Sequence, residues 1–403
     1  MSKVIIKNSF LKGEVNIPPS KSVAHRAMIC SFLAGGGTVK PIINSNDMKA
    51  MEQVIKAINE KNYIIDCIES GNTLRFMIPV ICALGMKAKF IGQGRLPKRP
   101  IDEYLRLFPE HGVKCKYDGE LPLYVEGKLT SGIYKIAGNI SSQYITGLLL
   151  ALPILDGDSE IVLTTELQSK PYVDMTIKVM SDYGVYVEET QTGYFIKGNQ
   201  KYQKRDYIVE GDWSQAAFFL SAGAINGDIK LKGLDINSPQ GDKEMIPILK
   251  KFGADIEITD NYIRVKKSDL IGTEVDATNV PDIVPSLSVV SAYSKGKTII
   301  KGTQRLKFKE SDRSASIEKN LTKLGINIVD EEDQIIIQGG KIQGGEIEGF
   351  NDHRIVMAFS VAGLCSNGDI TISEAEAIDK TYPQFFEDFK NLGGEVNVIN
   401  NRE

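Results

Sequence analysis

Histidine is scarce in this 403-residue chain. Only His25, His111 and His353 are present, which argues against a metal centre built on imidazole ligands. The five cysteines, Cys30, Cys67, Cys82, Cys115 and Cys365, are scattered without metal-ligand spacing. Three fall in apolar helical stretches, so they read as buried free thiols of a reducing compartment rather than a disulfide framework. No apolar run approaches the roughly 20 residues needed to cross a bilayer. The opening MSKVIIKNSF lacks the long apolar core of a signal peptide and reads as a first strand. Basic residues are not in excess either: 48 Lys and Arg stand against 52 Asp and Glu, a net charge of −4. That excludes a bulk basic surface for nucleic acid but leaves room for a local basic pocket. With 42% hydrophobic and 25% charged residues the composition is that of an ordinary globular protein, and its length exceeds one core, so two domains are expected. Chemistry is left to Lys, Arg, Asp and Glu.

The chain repeats itself. Six segments share one order: small polar residues, an apolar helix of about a dozen residues, a glycine turn and a β-rich run. They begin at Pro18, Glu69, Gly138, Gly211, Pro281 and Asn351. The turn glycines Gly85, Gly157, Gly227, Gly296 and Gly368 lie 72, 70, 69 and 72 residues apart, whereas Gly36 precedes Gly85 by only 49. Between these segments a second helix with a 3.6-residue apolar period recurs, followed by two alternating strands, as in VDMTIKVMSDYGVYVEETQTGYFIKG. The first helices are apolar all round (ITGLLLALPIL, SLSVVSAY) and should be buried; the second should be half-exposed. Six units divide into two domains of three, expected over residues 20–224 and over 1–19 plus 225–403, with the chain crossing back near Ala222 to Gly227.

Each buried helix starts at a polar, often charged cluster. Helix N-termini carry unsatisfied N–H groups and partial positive charge, so several gathered on one face would attract anions. Taken singly, Ser, Asn or Asp there is more simply a helix cap, and a charge run a solvated face. Together the clusters say more: PPSKSVAHRA with Lys21, Ser22 and Arg26; GQGRLPKRPID with Arg95, Lys98 and Arg99 on a proline-stiffened loop; and Ser141, Ser142 and Gln143. Further along stand KFKESDR with Lys309, Glu310 and Arg313, NDHR with Arg354, and Lys380 in DKTYPQ.

These motifs, with NSND, SKPYVDMT, GDWS and PDIVPSL, resemble the 5-enolpyruvylshikimate-3-phosphate synthase family, in family order from Pro18 to Phe386. The resemblance implies an α/β (α+β) fold of two similar domains. Each would hold three repeated βαβαββ units with buried parallel helices and sheets outside, an inverted barrel-like arrangement, and the active site would lie in the cleft between them. It implies transfer of the enolpyruvyl group of phosphoenolpyruvate to the 5-hydroxyl of shikimate 3-phosphate, by addition and elimination, with no cofactor and no metal. By matching motif, shikimate 3-phosphate would be held by Ser22, Arg26, Ser141, Ser142, Ser169, Tyr172, Asp282 and Lys309. Phosphoenolpyruvate would be held by Lys21, Gly71, Arg99, Gln143, Arg313, Arg354 and Lys380. Lys21, Asp282 and Glu310 would move protons. Asp47 and His353 would orient neighbours. A monomeric cytoplasmic enzyme of the shikimate pathway is expected, a target of glyphosate, with no nucleic-acid or membrane partner. The cleft should close on its anionic substrates.

Two positions depart from the family. Glu69, in Glu69-Ser70-Gly71-Asn72, adds a negative charge at an anion site, and Arg305 stands where many members have Asn. The sister UDP-N-acetylglucosamine enolpyruvyl transferases carry Lys-Asn where this chain has Lys21-Ser22, and a loop Cys that is missing between Arg95 and Ile101. A binding protein that kept only the scaffold would be expected to have lost its charged side chains first.

Overall fold

The structure is a computed structural model that describes residues 2–400. Its helices among these residues come in six consecutive pairs. They are α1 (Lys21–Leu33) with α2 (Asn46–Asn59), α3 (Gly71–Ala83) with α4 (Asp102–Leu107), and α5 (Ser142–Ala151) with α6 (Lys170–Asp182). Then follow α7 (Trp213–Asn226) with α8 (Met245–Lys251), α9 (Val284–Tyr293) with α10 (Arg313–Lys323), and α11 (His353–Ala362) with α12 (Phe385–Asn391). The first of each pair is the buried one: every residue of α7 and of α11 is shielded from solvent. Apolar side chains all round leave such a helix no face for water. Close approach needs small residues, and a Cβ on Gly147 of α5 would sit 2.4 Å from the Arg75 carbonyl oxygen of α3. The second of each pair is amphipathic. Helix α2 buries Met48, Met51, Val54 and Ile58 and leaves Lys49 to solvent. Each such apolar side chain contributes about 1.5–3 kcal/mol when fully buried.

The strand after each buried helix is central to a sheet. In the α5 repeat, Ser159–Leu163 pairs in parallel with Ile133–Ile136, the strand before the helix. On its other side it meets Gly193–Ile196, the second strand of the hairpin after α6, antiparallel. Two repeats break this rule. Helix α2 is followed by no hairpin, so Val39–Lys40 has a single partner, Tyr207–Ile208. The missing hairpin accounts for the short 49-residue spacing of Gly36 and Gly85. In the sixth repeat the hairpin's inner strand comes from the start of the chain: Ser2–Ile6 lies between Asn367–Ser373 and Val396–Asn400.

Edge strands are exchanged as well. Leu11–Asn16, just before α1, runs parallel to Gly227–Lys232, the strand after α7. Tyr207–Ile208, just before α7, runs parallel to the strand after α1. The chain therefore divides into one unit of Met1–Pro18 with Glu210–Glu403 and another of Pro19–Val209. In this division the chain returns before α7, whereas the sequence reading placed the return near Ala222 to Gly227. Helix α7 cannot be parted from the sheet it covers: a Cβ on Gly223 would sit 2.3 Å from Val265 Cγ1.

Candidate active site

In the unit Pro19–Val209, the starts of α1, α3 and α5 are tied together by side chains. His25 Nε2 lies 3.4 Å from Thr73 Oγ1, linking α1 to α3. Gln143 at the start of α5 donates to Asn72 Oδ1 at 2.6 Å and accepts from Arg75 Nη1 at 2.7 Å. Capping explains part of the polar clusters: Ser20, Ser70 and Ser141 each accept a backbone N–H of the first turn. The cations need another reason. Lys21 Nζ, largely buried, is paired with Asp47 Oδ2 at 2.8 Å. Arg26 is buried and gives its N–H groups to Thr176 Oγ1, to the Ser22 and Tyr172 carbonyl oxygens and to Thr146 Oγ1. Burial lowers its pKa to about 10, which leaves it charged at neutral pH. Arg26 thus sets the backbone that presents Ser22 and Tyr172. Ser169, buried, opens α6 with a left-handed φ of 59°.

The three cations of the GQGRLPKRPID loop face different ways. Arg95 and Lys98 are exposed, but Arg99 turns inward. A Cβ on Gly71 would lie 2.5 Å from Arg99 Nη1, so this glycine admits the guanidinium to the start of α3. Glu69 is directed at the same loop, its Oε1 2.5 Å from the position of a Cβ on Gly94. Arg75 was not singled out from sequence. It is buried, holds the Pro100 carbonyl oxygen at 2.8 and 3.1 Å, and so fixes the residue next to Arg99 as well as Gln143. Its signal was a lone cation inside the apolar run FMIPVICA and its flank.

In the other unit, Asp282 at the entry to α9 gathers cations from three directions. Lys309 Nζ lies 3.1 Å and Arg313 Nη1 3.0 Å from Oδ1, and Arg354 Nη2 lies 3.0 Å from Oδ2. Burial pushes the Asp282 carboxyl up, but Arg354, Lys309 and Arg313 outweigh it and hold the group well below the usual carboxylate range. Burial lowers the pKa of Lys309, and Asp282 offsets this only in part. Arg313, the first residue of α10, also binds Glu310 at 2.8 Å and the fully buried Asp352 at 2.8 Å. Burial opposes its charge, and Asp352, Glu310 and Asp282 more than compensate. Asp352 caps α11 through the Arg354 N–H at 2.9 Å. Three cations and three carboxylates, Asp282, Glu310 and Asp352, thus form one network. Lys380 is buried at the end of the turn Ala375–Lys380, which packs on α11, and His353 is buried beside Asp352. Arg305 donates to the Thr278 carbonyl oxygen at 2.6 Å.

A further carboxylate went unnoticed in the sequence. Asp242, in the turn before α8, is buried and accepts a hydrogen bond from Ser214 at the start of α7. Burial first, and then the charge of Asp282, raise its pKa to about 6. The motif QGDKE carries no signal of that burial.

The framework of paired helices is shared with solved enolpyruvyl transferases. An enolpyruvyl transferase NikO from Streptomyces tendae superposes with a TM-score of 0.80 over 99% of this chain and 98% of that one, at 15% identity, a likeness of fold alone. An EPSP synthase from Acinetobacter baumannii gives 0.84 at 26% identity, over 99% of this chain and 100% of the other. The family model for EPSP synthase (3-phosphoshikimate 1-carboxyvinyltransferase) matches residues 5–62 and 56–389. The 3-phosphoshikimate 1-carboxyvinyltransferases of Clostridium perfringens (strain ATCC 13124) and Clostridium novyi are 45% and 43% identical to the chain, covering 98% of it and 99% and 98% of themselves. The chain belongs to the EPSP synthase family.

Proposed function

We propose that the chain transfers the enolpyruvyl group of phosphoenolpyruvate to the 5-hydroxyl of shikimate 3-phosphate, releasing phosphate, in aromatic amino acid biosynthesis. Family membership supports the reaction, and one observation supports its placement: Asp282 is kept ionised among Lys309, Arg313 and Arg354. An ionised carboxylate is in the protonation state required to receive a proton from an adjacent hydroxyl, and the three cations weaken it as a base until anionic substrates engage them.

In this reading Ser22, Ser141, Ser142, Ser169, Tyr172 and Lys309 bind shikimate 3-phosphate, and Arg26 positions Ser22 and Tyr172. Arg99, Gln143, Arg313, Arg354 and Lys380 bind the phosphate and carboxylate of phosphoenolpyruvate, with Gly71 making room for Arg99. Planar guanidinium groups suit both anions. Asp282 takes the hydroxyl proton as the oxygen attacks C2, and Glu310 delivers a proton to C3, giving a tetrahedral ketal phosphate. Glu310 then removes a proton from C3 while Lys21 protonates the bridging oxygen of the departing phosphate. Asp47 holds the Lys21 ammonium in place. Nothing in this sequence of steps calls for a metal or organic cofactor. A monomer working in the cytoplasm fits a soluble biosynthetic substrate pair; among the described residues no helix is long and apolar enough to span a membrane.

Product analysis by NMR in deuterated water tests the scheme. It should show an enolpyruvyl ether on the 5-oxygen of shikimate 3-phosphate and deuterium at C3. Formation of pyruvate alone would contradict it.

A further inference from the structure

The solvent faces of three of the six sheets carry ion pairs between their strands. In the sheet around Gly227–Lys232, Lys230 and Lys232 pair with Glu14, Arg264 with Asp228, and Lys266 with Asp255. Lys301 pairs with Glu274 in the sheet around Lys297–Lys301, and Lys3 with Glu346 in that of Ser2–Ile6. The sheet of Ile64–Asp66, Ala88–Ile91, Leu123–Gly127 and Val113–Lys116 is different. Lys87, Lys89, Lys114 and Lys116 converge there on a groove of about 670 Å3; Lys114 stands opposite Glu126 across the sheet, and among the described residues none of the other three has a carboxylate partner. Glu126 is the one acidic residue in the lining, against four lysines, in a chain of net charge −4.

Register builds the groove. Lys89 stands opposite Tyr124, and Tyr124 opposite Lys116, so a tyrosine lies between two ammonium groups across three strands. Lys89 Nζ is 5.4 Å from the Tyr124 ring centroid. Tyr63, 55% exposed, and Tyr124, 41% exposed, both line the groove, leaving aromatic faces open to solvent. Unneutralised lysines repel one another and cost stability unless a ligand uses them, and exposed tyrosines give planar stacking surfaces. The volume lies within the range of small-molecule sites.

We infer that this sheet face is a second ligand site, distinct from the clusters of Asp282 and Lys21, and that it takes a nucleoside polyphosphate. The phosphates lie among Lys89, Lys114 and Lys116, and the base stacks on Tyr124. An inorganic polyanion would use the lysines alone. The ring and the charge together single out a nucleotide.

Calorimetric titration of the full chain with ATP, and separately with inorganic tripolyphosphate, tests this in low-salt buffer. ATP should bind more tightly than tripolyphosphate. The double variant Lys89→Glu/Lys116→Glu should weaken ATP at least roughly tenfold, about 1.4 kcal/mol, because it removes two charge-assisted contacts. Tyr124→Ala should weaken ATP several-fold and leave tripolyphosphate unchanged. All these positions are at the surface, so thermal melting and phosphate release from phosphoenolpyruvate should remain at the unsubstituted level. ATP binding that ignores both variants would place the nucleotide elsewhere and overturn the inference. Equal binding of ATP and tripolyphosphate, insensitive to Tyr124→Ala, would reduce the face to a charge sink and overturn it too, as would no binding.

Discussion

Asp282 illustrates how much one side chain can organise. Replacing it by Asn removes the carboxylate that Lys309, Arg313 and Arg354 share. Breaking a buried ion network from one side costs about 3–5 kcal/mol. Asp282→Asn should therefore melt clearly lower and turn over at least roughly a hundredfold more slowly; differential scanning calorimetry and a steady-state assay check both. Asp242 gives a cleaner pH signature. Its folded pKa, about 6, lies above the usual carboxylate value, so its contribution is full below about pH 4 and is lost as pH rises through 6. Asp242→Asn does not titrate. The variant should therefore gain on the unsubstituted protein by on the order of 2–3 kcal/mol between pH 4 and 7, measured as the difference of two denaturation curves. His25 bears on the unsubstituted protein in the opposite sense: burial lowers its pKa to about 4, so its contribution falls away on acidification.

At the level of elements, helix starts carry the chemistry, and small residues there decide what reaches them. Gly71→Ala would put a methyl group 2.5 Å from Arg99 Nη1. The clash is with the end of a flexible side chain, so the fold should tolerate it while Arg99 moves. KM for phosphoenolpyruvate should rise roughly tenfold, about 1.4 kcal/mol, with a smaller change in kcat. An unchanged KM would remove Arg99 from the phosphoenolpyruvate site. Much of this level was legible beforehand. Period and all-round apolarity separated buried helices from amphipathic ones, and the Ser and Asp clusters marked their starts. Arg99 was assigned to phosphoenolpyruvate by motif, but its inward turn from a loop that exposes Arg95 and Lys98 was not legible in sequence; its burial and the glycine opposite reveal it. Asp242 could not be read at all, because a carboxylate's burial depends on elements distant in sequence.

The whole molecule closes its sixth repeat with the first strand of the chain. Spacing suggested six repeats and assigned residues 1–19 to the second unit, where Leu11–Asn16 pairs with Gly227–Lys232, but the return strand Tyr207–Ile208 is too short for its pairing with Val39–Lys40 to be read from sequence. Val4 and Ile6 are fully buried in that closing strand. Cutting either to Ala should cost about 2–4 kcal/mol by loss of packing, visible in urea denaturation. The central claim concerns the reaction, and its most direct test is phosphate release from phosphoenolpyruvate with either shikimate 3-phosphate or UDP-N-acetylglucosamine as acceptor. Release with shikimate 3-phosphate only, abolished in Lys21→Ala and strongly slowed in Glu310→Ala, is the predicted result; release with the nucleotide sugar only, or with neither acceptor, would contradict the account.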